Sequence, residues 1–202
     1  MSNVHVRLRK QLLWLILDRP PLNPLTVEML EQLTTTTRNA IQQPPRLLVL
    51  TGTGERAFCS GVDLPDDSDN KRTQLLHIAA DTCAAFEELH TQGISIIALV
   101  KGNAFGAGCE LAALCDTVVA REDATFRLPA VNAKVFPCAL STYLPASIGQ
   151  EATTRLMQSG ETLTAKEAMR LGLVHQVLTP QRFLTDTEEL LVMLASLSSH
   201  SM

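Results

Sequence analysis

A chain of 202 residues is long enough to bury a substantial core, and its length favours one domain, residues 1–202, over two. Its content of 46% hydrophobic and 19% charged residues excludes a disordered chain. A formal net charge of −4 excludes a broad basic surface for nucleic acid. We expect a folded core over residues 1–180 and a short helical tail over residues 181–202.

The N-terminal region contains the apolar run LLWLIL, which is too short to span a bilayer and is not followed by a small-residue cleavage site. We therefore predict a core strand there and a cytoplasmic protein without a membrane partner. The cysteines are odd in number and lack CxxC spacing, which predicts neither a disulfide framework nor a metal site. Their apolar surroundings favour buried free thiols in a reducing compartment. These cysteines are Cys59, Cys83, Cys109, Cys115 and Cys138.

The first half of the chain alternates strand and helix patterns. VHVRLRK and LLWLILD predict two strands that meet near Lys10 and Gln11. LTVEMLEQLTTTTRNAI has helical spacing, with Asn23-Pro24 ahead of it as a start signal. RLLVLTG is a short apolar run closed by glycine, which is typical of a buried strand. A polar, turn-rich loop is expected over residues 65–73.

The second half continues the alternation. A long amphipathic helix is predicted to end at Gly93, followed by the strand ISIIALVKG, the short helix GCELAALCD and the strand TVVA. The remainder is predicted to be mostly helical. Buried strands that alternate with helices predict an α/β fold with largely parallel strands.

Two segments share one design, a buried strand that runs into a glycine-containing turn. These are LLVLTGTGERAFCSGVDL and ISIIALVKGNAFGAGCEL, and the second also opens a helix. Such turns leave backbone N–H groups pointing into the space at the strand ends. Two neighbouring turns can aim two donors at one developing oxyanion, although the glycines can equally serve only to make tight turns. Neither GxGxxG nor Gly-Lys-Ser/Thr is present, so the turns do not predict a dinucleotide or phosphate loop.

The pair RAFCSGVDL and GNAFGAGCELAALCDTVVA resembles the crotonase, or enoyl-CoA hydratase/isomerase, superfamily. Further resemblance lies in RPPLNPLTVEMLEQL and in the run from Tyr143 to Val177, so that it covers roughly residues 5–180. The resemblance implies a spiral of ββα units with C-terminal helices, an acyl-CoA thioester as substrate without a separate cofactor, and a homotrimer or dimer of trimers. Only some 25 residues follow Val177, so the helical end is expected to be abbreviated.

The resemblance also implies roles for single residues. The N–H groups of Ser60 and Ala107 would form the oxyanion hole, and Glu110 would hold water or move a proton. A carboxylate near a helix start can have a raised pKa suited to this work, or can simply favour the helix dipole. Arg56 would lie near the phosphates of coenzyme A. The remaining substrate-binding positions are Ala57, Gly61, Val62, Asp63, Leu64, Gly106, Gly108 and Ala130.

One departure from the family pattern concerns the second carboxylate. Where the family has Phe-Gly-x-Pro-Glu, this chain has Arg127 for the glycine and Ala130 for the glutamate, with no Asp or Glu from Ala124 to Gln150. Tyr143 and Lys134 are the candidate proton donors in its place. The nominal expectation is an enoyl-CoA hydratase or isomerase. Two alternatives remain open: an acyl-CoA decarboxylase, and a non-catalytic acyl-CoA-binding or assembly subunit.

Overall fold

The computed structural model describes residues 3–63, 69–129 and 135–197, and for Asn3 and Asp69 it describes the backbone alone. Three of the residues singled out above, Leu64, Ala130 and Lys134, lie outside the described residues.

The described residues form ten strands, seven α-helices and one π-helical turn. The strands are β1 (Asn3–Arg9), β2 (Leu12–Asp18), β3 (Leu47–Gly52), β4 (Ala57–Cys59), β5 (Ser95–Val100), β6 (Asn103–Phe105), β7 (Thr117–Arg121), β8 (Thr125–Arg127), β9 (Leu163–Thr164) and β10 (Gln176–Leu178). The helices are α1 (Val27–Gln42), α2 (Asp69–Thr91), α3 (Ala107–Ala113), α4 (Leu144–Ile148), α5 (Gln150–Ser159), α6 (Ala165–Leu171) and α7 (Phe183–Leu197). The π-helical turn, Ala139–Tyr143, precedes α4.

The strands form two sheets, and from β3 to β8 the chain alternates between them. The larger sheet has the order β1-β2-β3-β5-β7-β10 and the smaller one the order β4-β6-β8-β9. The β1 and β2 strands pair antiparallel, as do β8 and β9, and the other pairs are parallel. Each repeat runs from a long strand to a short strand and then to a helix, as in β3-β4-α2 and β5-β6-α3. The predicted α/β spiral of ββα units is therefore confirmed.

The central strands of the larger sheet are buried on both faces. In β3, Leu48 and Leu50 pack into the main core, whereas Leu47 and Val49 pack on the opposite face against α7. Side chains alternate across a strand, so a run of apolar residues is needed when both faces are covered. This is why the central strands read as continuous apolar segments. Helix α7 supplies the outer cover through its buried apolar side chains, which are Phe183, Leu191 and Ala195.

The start of α1 differs from the sequence prediction. The N-cap is Thr26, whose side chain accepts a hydrogen bond from the Met29 N–H. Asn23 does not cap the helix; its side chain turns away to bond Thr53 and Ala57. The expected turn at Lys10 and Gln11 is present, and both residues have the positive φ that a tight hairpin turn requires.

The structure also corrects the prediction that all the cysteines are free thiols. Cys83 and Cys138 form a disulfide, whereas sequence reasoning predicted free thiols. They are 55 residues apart and lie on α2 and just before the π-helical turn, so only the fold brings them together. Cys59, Cys109 and Cys115 are buried free thiols, as expected.

Candidate active site

The two glycine turns lie side by side at the carboxyl ends of β4 and β6, which are parallel neighbours in the smaller sheet. A methyl group built on Gly106 would lie 3.9 Å from the Cα of Gly61, and one built on Gly61 would lie 3.6 Å from the Phe105 carbonyl oxygen. Both glycines have positive φ values, +53° and +120°. The prediction that the two turns adjoin each other is confirmed.

The first turn is held by the segment between β2 and α1. The Leu25 N–H donates to the Gly61 carbonyl at 2.8 Å, and the Asp63 N–H donates to the Leu25 carbonyl at 2.9 Å. Asn23 adds a bond from its buried side chain to the Ala57 carbonyl at 2.9 Å. An ion pair between Arg19 and Asp63 closes the outer edge. This clamp fixes the backbone direction of the first turn.

The clamp also decides which N–H groups of the first turn are available. The Ser60 N–H donates to the Leu22 carbonyl at 3.0 Å, so it is already engaged. Leu25 and Val62 form a parallel β-bridge whose hydrogen bonds are made by the neighbours of Val62, Gly61 and Asp63. The N–H of a residue in that position points away from the bridge partner. The Val62 amide is therefore directed away from Leu25, a possibility that sequence reasoning did not consider.

The second turn places the start of α3 beside the first. Gly106 is the N-cap and makes no side-chain capping bond, and the first N–H groups of a helix have no intrahelical acceptor. Gly108 lies against β4, where an added methyl carbon would be 2.2 Å from the Cys59 carbonyl oxygen. Gly108 is thus a close-packing residue that keeps Ala107 near the first turn, rather than a residue that lines the open space.

A pocket of about 380 Å³ opens between the turns. The two glycine turns form one wall of the pocket. The end of β8 and Gly160 form the other wall. Among the described residues, the lining consists of Ser60, Gly61, Val62, Phe105, Gly106, Ala107, Arg127, Leu128, Pro129 and Gly160. Five of the predicted site residues meet here, which are Ser60, Gly61, Val62, Gly106 and Ala107.

Several other predicted residues do not line this pocket. Ala57 is buried in β4 and only 1% exposed, and Arg56 is an exposed residue whose carbonyl accepts from the Asn103 N–H. Asp63 is occupied by its ion pair with Arg19. The structure therefore places Arg56, Ala57 and Asp63 around the first turn rather than in the pocket between the turns.

Glu110 lies on α3, one turn beyond Ala107, and is fully buried. Its carboxylate accepts a hydrogen bond from the Val135 N–H, with distances of 3.3 and 3.2 Å to its two oxygens. A buried carboxylate needs hydrogen-bond donors, and a main-chain N–H shared between both oxygens holds it without neutralising its charge. The side chain is thus fixed between α3 and the segment that leads into the π-helical turn.

Two of the buried free thiols, Cys59 and Cys109, are poor nucleophiles. Burial raises the pKa of Cys59 to about 12. Burial, together with the nearby charge of Glu110, raises the pKa of Cys109 to about 12. Since the thiolate is the reactive form, neither cysteine is suited to attack a substrate near neutral pH. The position of Cys59 beside the first turn therefore reflects packing, as expected from the sequence.

A second polar cluster joins α2 to the larger sheet. Asp116 follows α3 and accepts a hydrogen bond from the Ile96 N–H at 2.7 Å. His90 Nε2 lies 3.4 Å from the Asp116 carboxylate, and His90 Nδ1 lies 3.3 Å from the Tyr143 hydroxyl. Tyr143 is thus engaged with His90. Over the described ranges, no three His, Cys, Asp or Glu side chains converge as metal ligands.

Two sheets wound from ββα units, with a pocket between the glycine turns of consecutive units, define a crotonase-type fold. A sequence model of the enoyl-CoA hydratase/isomerase family matches residues 8–202. The chain belongs to this family, within the crotonase superfamily. None of the helices in the described part of the chain has the length and apolar character needed to cross a membrane.

Individual relatives agree with this placement. YngF of Bacillus subtilis (strain 168), named as an enoyl-CoA hydratase/isomerase, is 36% identical over 180 residues, which are 86% of this chain and 68% of that protein. The 2,3-dehydroadipyl-CoA hydratase of Escherichia coli (strain K12) is also 36% identical over 180 residues, 88% of this chain and 69% of its own. The crystal structure of a family member from Silicibacter pomeroyi has a TM-score of 0.81 at 30% identity, and covers 95% of this chain and 83% of that one.

Proposed function

We propose that the protein binds an acyl-CoA thioester in the pocket between the two glycine turns and acts as an enoyl-CoA hydratase or isomerase. The observation that carries this proposal is the convergence of the two turns, Gly61 with Gly106, one helical turn from the buried carboxylate of Glu110. Family membership supports an enzyme that acts on thioesters, and the names of the relatives support hydration. The coenzyme A thioester is the substrate, and the proposed chemistry needs no other cofactor.

The oxyanion hole is assigned to the N–H groups of Val62 and Ala107. Ser60, the donor expected from the sequence, gives its N–H to the Leu22 carbonyl, whereas the Val62 N–H points away from Leu25. Both Val62 and Ala107 line the pocket. When a proton leaves or joins the α-carbon, negative charge gathers on the thioester oxygen, and two fixed main-chain donors stabilise that enolate. Main-chain donors make the side-chain identities at these positions unimportant for the role.

Glu110 is assigned the proton transfer. Isomerisation needs one base that removes a proton from one carbon and returns it to another, so a single carboxylate can perform it. Hydration needs a base for water and an acid for the α-carbon, and one carboxylate can serve only if it takes a proton from water and then delivers it. The hydrogen bond from the Val135 N–H fixes the orientation of the buried carboxylate. Isomerisation is thus the less demanding reaction for this site.

The test follows two reactions with one variant. Wild-type protein is mixed with crotonyl-CoA, and hydration is followed by loss of the conjugated thioester absorbance; but-3-enoyl-CoA is used in the same way to follow isomerisation by gain of that absorbance. We expect turnover of at least one substrate, and a decrease of about 100- to 10,000-fold in Glu110→Gln. Glu189→Gln is the matched control, because Glu189 is exposed on α7.

Two results would contradict the proposal. Wild-type protein without turnover of either thioester would exclude the reaction. Full turnover by Glu110→Gln would exclude the carboxylate as the proton carrier. Circular dichroism and the binding of free coenzyme A to Glu110→Gln show whether a loss of turnover reflects chemistry rather than unfolding.

A further inference from the structure

The pocket contains one charged side chain that the proposed reaction does not use. Arg127 is the last residue of β8 and is exposed, and it is the only charged residue among the described residues that line the pocket. Its carbonyl accepts a hydrogen bond from the Gly106 N–H at 2.9 Å, so its backbone is tied to the turn that carries Ala107. A positive charge therefore lies in the wall of the pocket next to the proposed oxyanion hole.

The guanidinium of Arg127 is held in position by an aromatic ring. Its Cζ lies 4.7 Å from the centroid of the Phe105 ring, a cation–π distance. Phe105 and Arg127 are register partners on neighbouring strands, β6 and β8. Stacking limits the rotation of the long side chain but leaves the N–H groups at the edge of the guanidinium able to donate. Arg127 is thus preorganised as a donor of two parallel hydrogen bonds.

No carboxylate within residues 3–63, 69–129 and 135–197 forms an ion pair with Arg127, whereas at least five other arginines each pair with an acid. Glu161 borders a small cavity together with Arg127, but it pairs with Arg155 at 3.8 Å instead. An exposed arginine needs no partner, but an arginine fixed over a ring in the wall of a ligand pocket is placed to receive an anionic group of that ligand.

We propose that Arg127 binds a carboxylate carried by the acyl group, so that the protein prefers acyl thioesters with a free carboxyl group to neutral ones of equal length. This inference rests on the proposed function. The competing anions are the phosphates of coenzyme A, but these are separated from the sulfur by the whole pantetheine arm. Arg127 is joined by a hydrogen bond to the turn that would hold the thioester oxygen. The acyl group is therefore the part of the ligand within its reach.

The test measures binding rather than turnover. Isothermal titration compares hexanoyl-CoA with adipoyl-CoA, and butanoyl-CoA with succinyl-CoA; these saturated thioesters cannot be hydrated. We expect at least one carboxylated thioester to bind wild-type protein about 10-fold more tightly than its neutral partner. Arg127→Gln should remove this preference. Arg127→Lys should restore it only in part, because lysine keeps the charge without the planar pair of donors. Arg182→Gln removes an equal charge on a residue that does not line the pocket and serves as the control.

Each other outcome identifies which idea fails. If wild-type protein binds neutral and carboxylated thioesters equally well, the inference is wrong while the proposed function stands. If Arg127→Gln weakens free coenzyme A and all four thioesters by the same factor, Arg127 binds the phosphates and not the acyl group. If wild-type protein binds neither free coenzyme A nor any thioester, the proposed function itself fails and the inference fails with it.

Discussion

Asn23 is the residue whose replacement tests most directly how the first turn is built. Its side chain is fully buried and makes four hydrogen bonds. The Nδ2 group donates to the carbonyls of Thr53 and Ala57, both at 2.9 Å. The Oδ1 atom accepts from the Arg19 N–H at 3.0 Å and from the Thr53 hydroxyl at 3.2 Å. Asn23 therefore connects the segment before α1 with the strand that leads to Ser60.

Replacement of Asn23 by alanine leaves three main-chain groups without their partner. The Thr53 hydroxyl keeps its bond to Asp18 at 2.9 Å and is not orphaned. The bond to the Ala57 carbonyl is buried, so its loss has the largest cost, about 1–3 kcal/mol. The Thr53 carbonyl and the Arg19 N–H are part-buried, and each adds about 0.5–1.5 kcal/mol. Water that reaches these two groups reduces the total cost. We expect Asn23→Ala to lower the free energy of unfolding by about 2–4 kcal/mol.

Urea unfolding, followed by the fluorescence of Trp14, measures this change. Asn23 has a φ of 52°, which alanine adopts only with strain and glycine adopts freely. Asn23→Gly avoids this strain but increases the conformational freedom of the unfolded chain. Both variants lose the same hydrogen bonds, so a loss of stability in both shows the contribution of those bonds. Asn39→Ala, at an exposed position on α1, should stay within about 0.5 kcal/mol of the wild type. If both Asn23 variants also stay within that range, the clamp does not stabilise the fold and the reasoning is refuted.

Two further predictions concern α3 and the polar cluster that follows it. Gly108→Ala should lower the free energy of unfolding by about 1–3 kcal/mol and impair thioester turnover. The added methyl carbon would lie 2.2 Å from the Cys59 carbonyl oxygen, so α3 must move. Unchanged urea unfolding and turnover would contradict this prediction. Burial raises the pKa of the Asp116 carboxyl, but His90 and the Ile96 N–H lower it more, so that it lies below the usual 3.8. Its stabilising contribution is therefore complete above pH 3.8 and lost as the pH falls through the lowered folded pKa. Asp116→Asn should flatten the acid decline in the free energy of unfolding in that range, and an unchanged slope would refute the assignment.

The sequence predicted the long strands and helices well, because each is long enough to show its period. It did not predict the short strands β4, β6, β8 and β9, which have two or three residues each. An alternating pattern cannot be recognised over so few positions. These strands exist because the long strands of the larger sheet bring them together, and they carry the pocket.

At the candidate site, too, some residues could be predicted from the sequence and others only from the fold. The motifs identified the two turns and Glu110, because glycine spacing and a lone carboxylate are visible in a sequence. They could not decide between the N–H groups of Ser60 and Val62, since that depends on which amide Leu22 engages. They also gave no reason to place Arg127 in the pocket wall, where its contact with Phe105 arises from strand pairing.

The sequence by itself determined the family, the order of the main elements and the residue types at the site, because these are local properties of the chain. The tertiary structure alone decided the Cys83–Cys138 pairing, the clamp formed by Asn23 and the burial of Glu110 under Val135. Each of these joins residues at least 25 positions apart. Whether residues so far apart in the chain come into contact depends on how the ββα units pack, which no local sequence pattern determines.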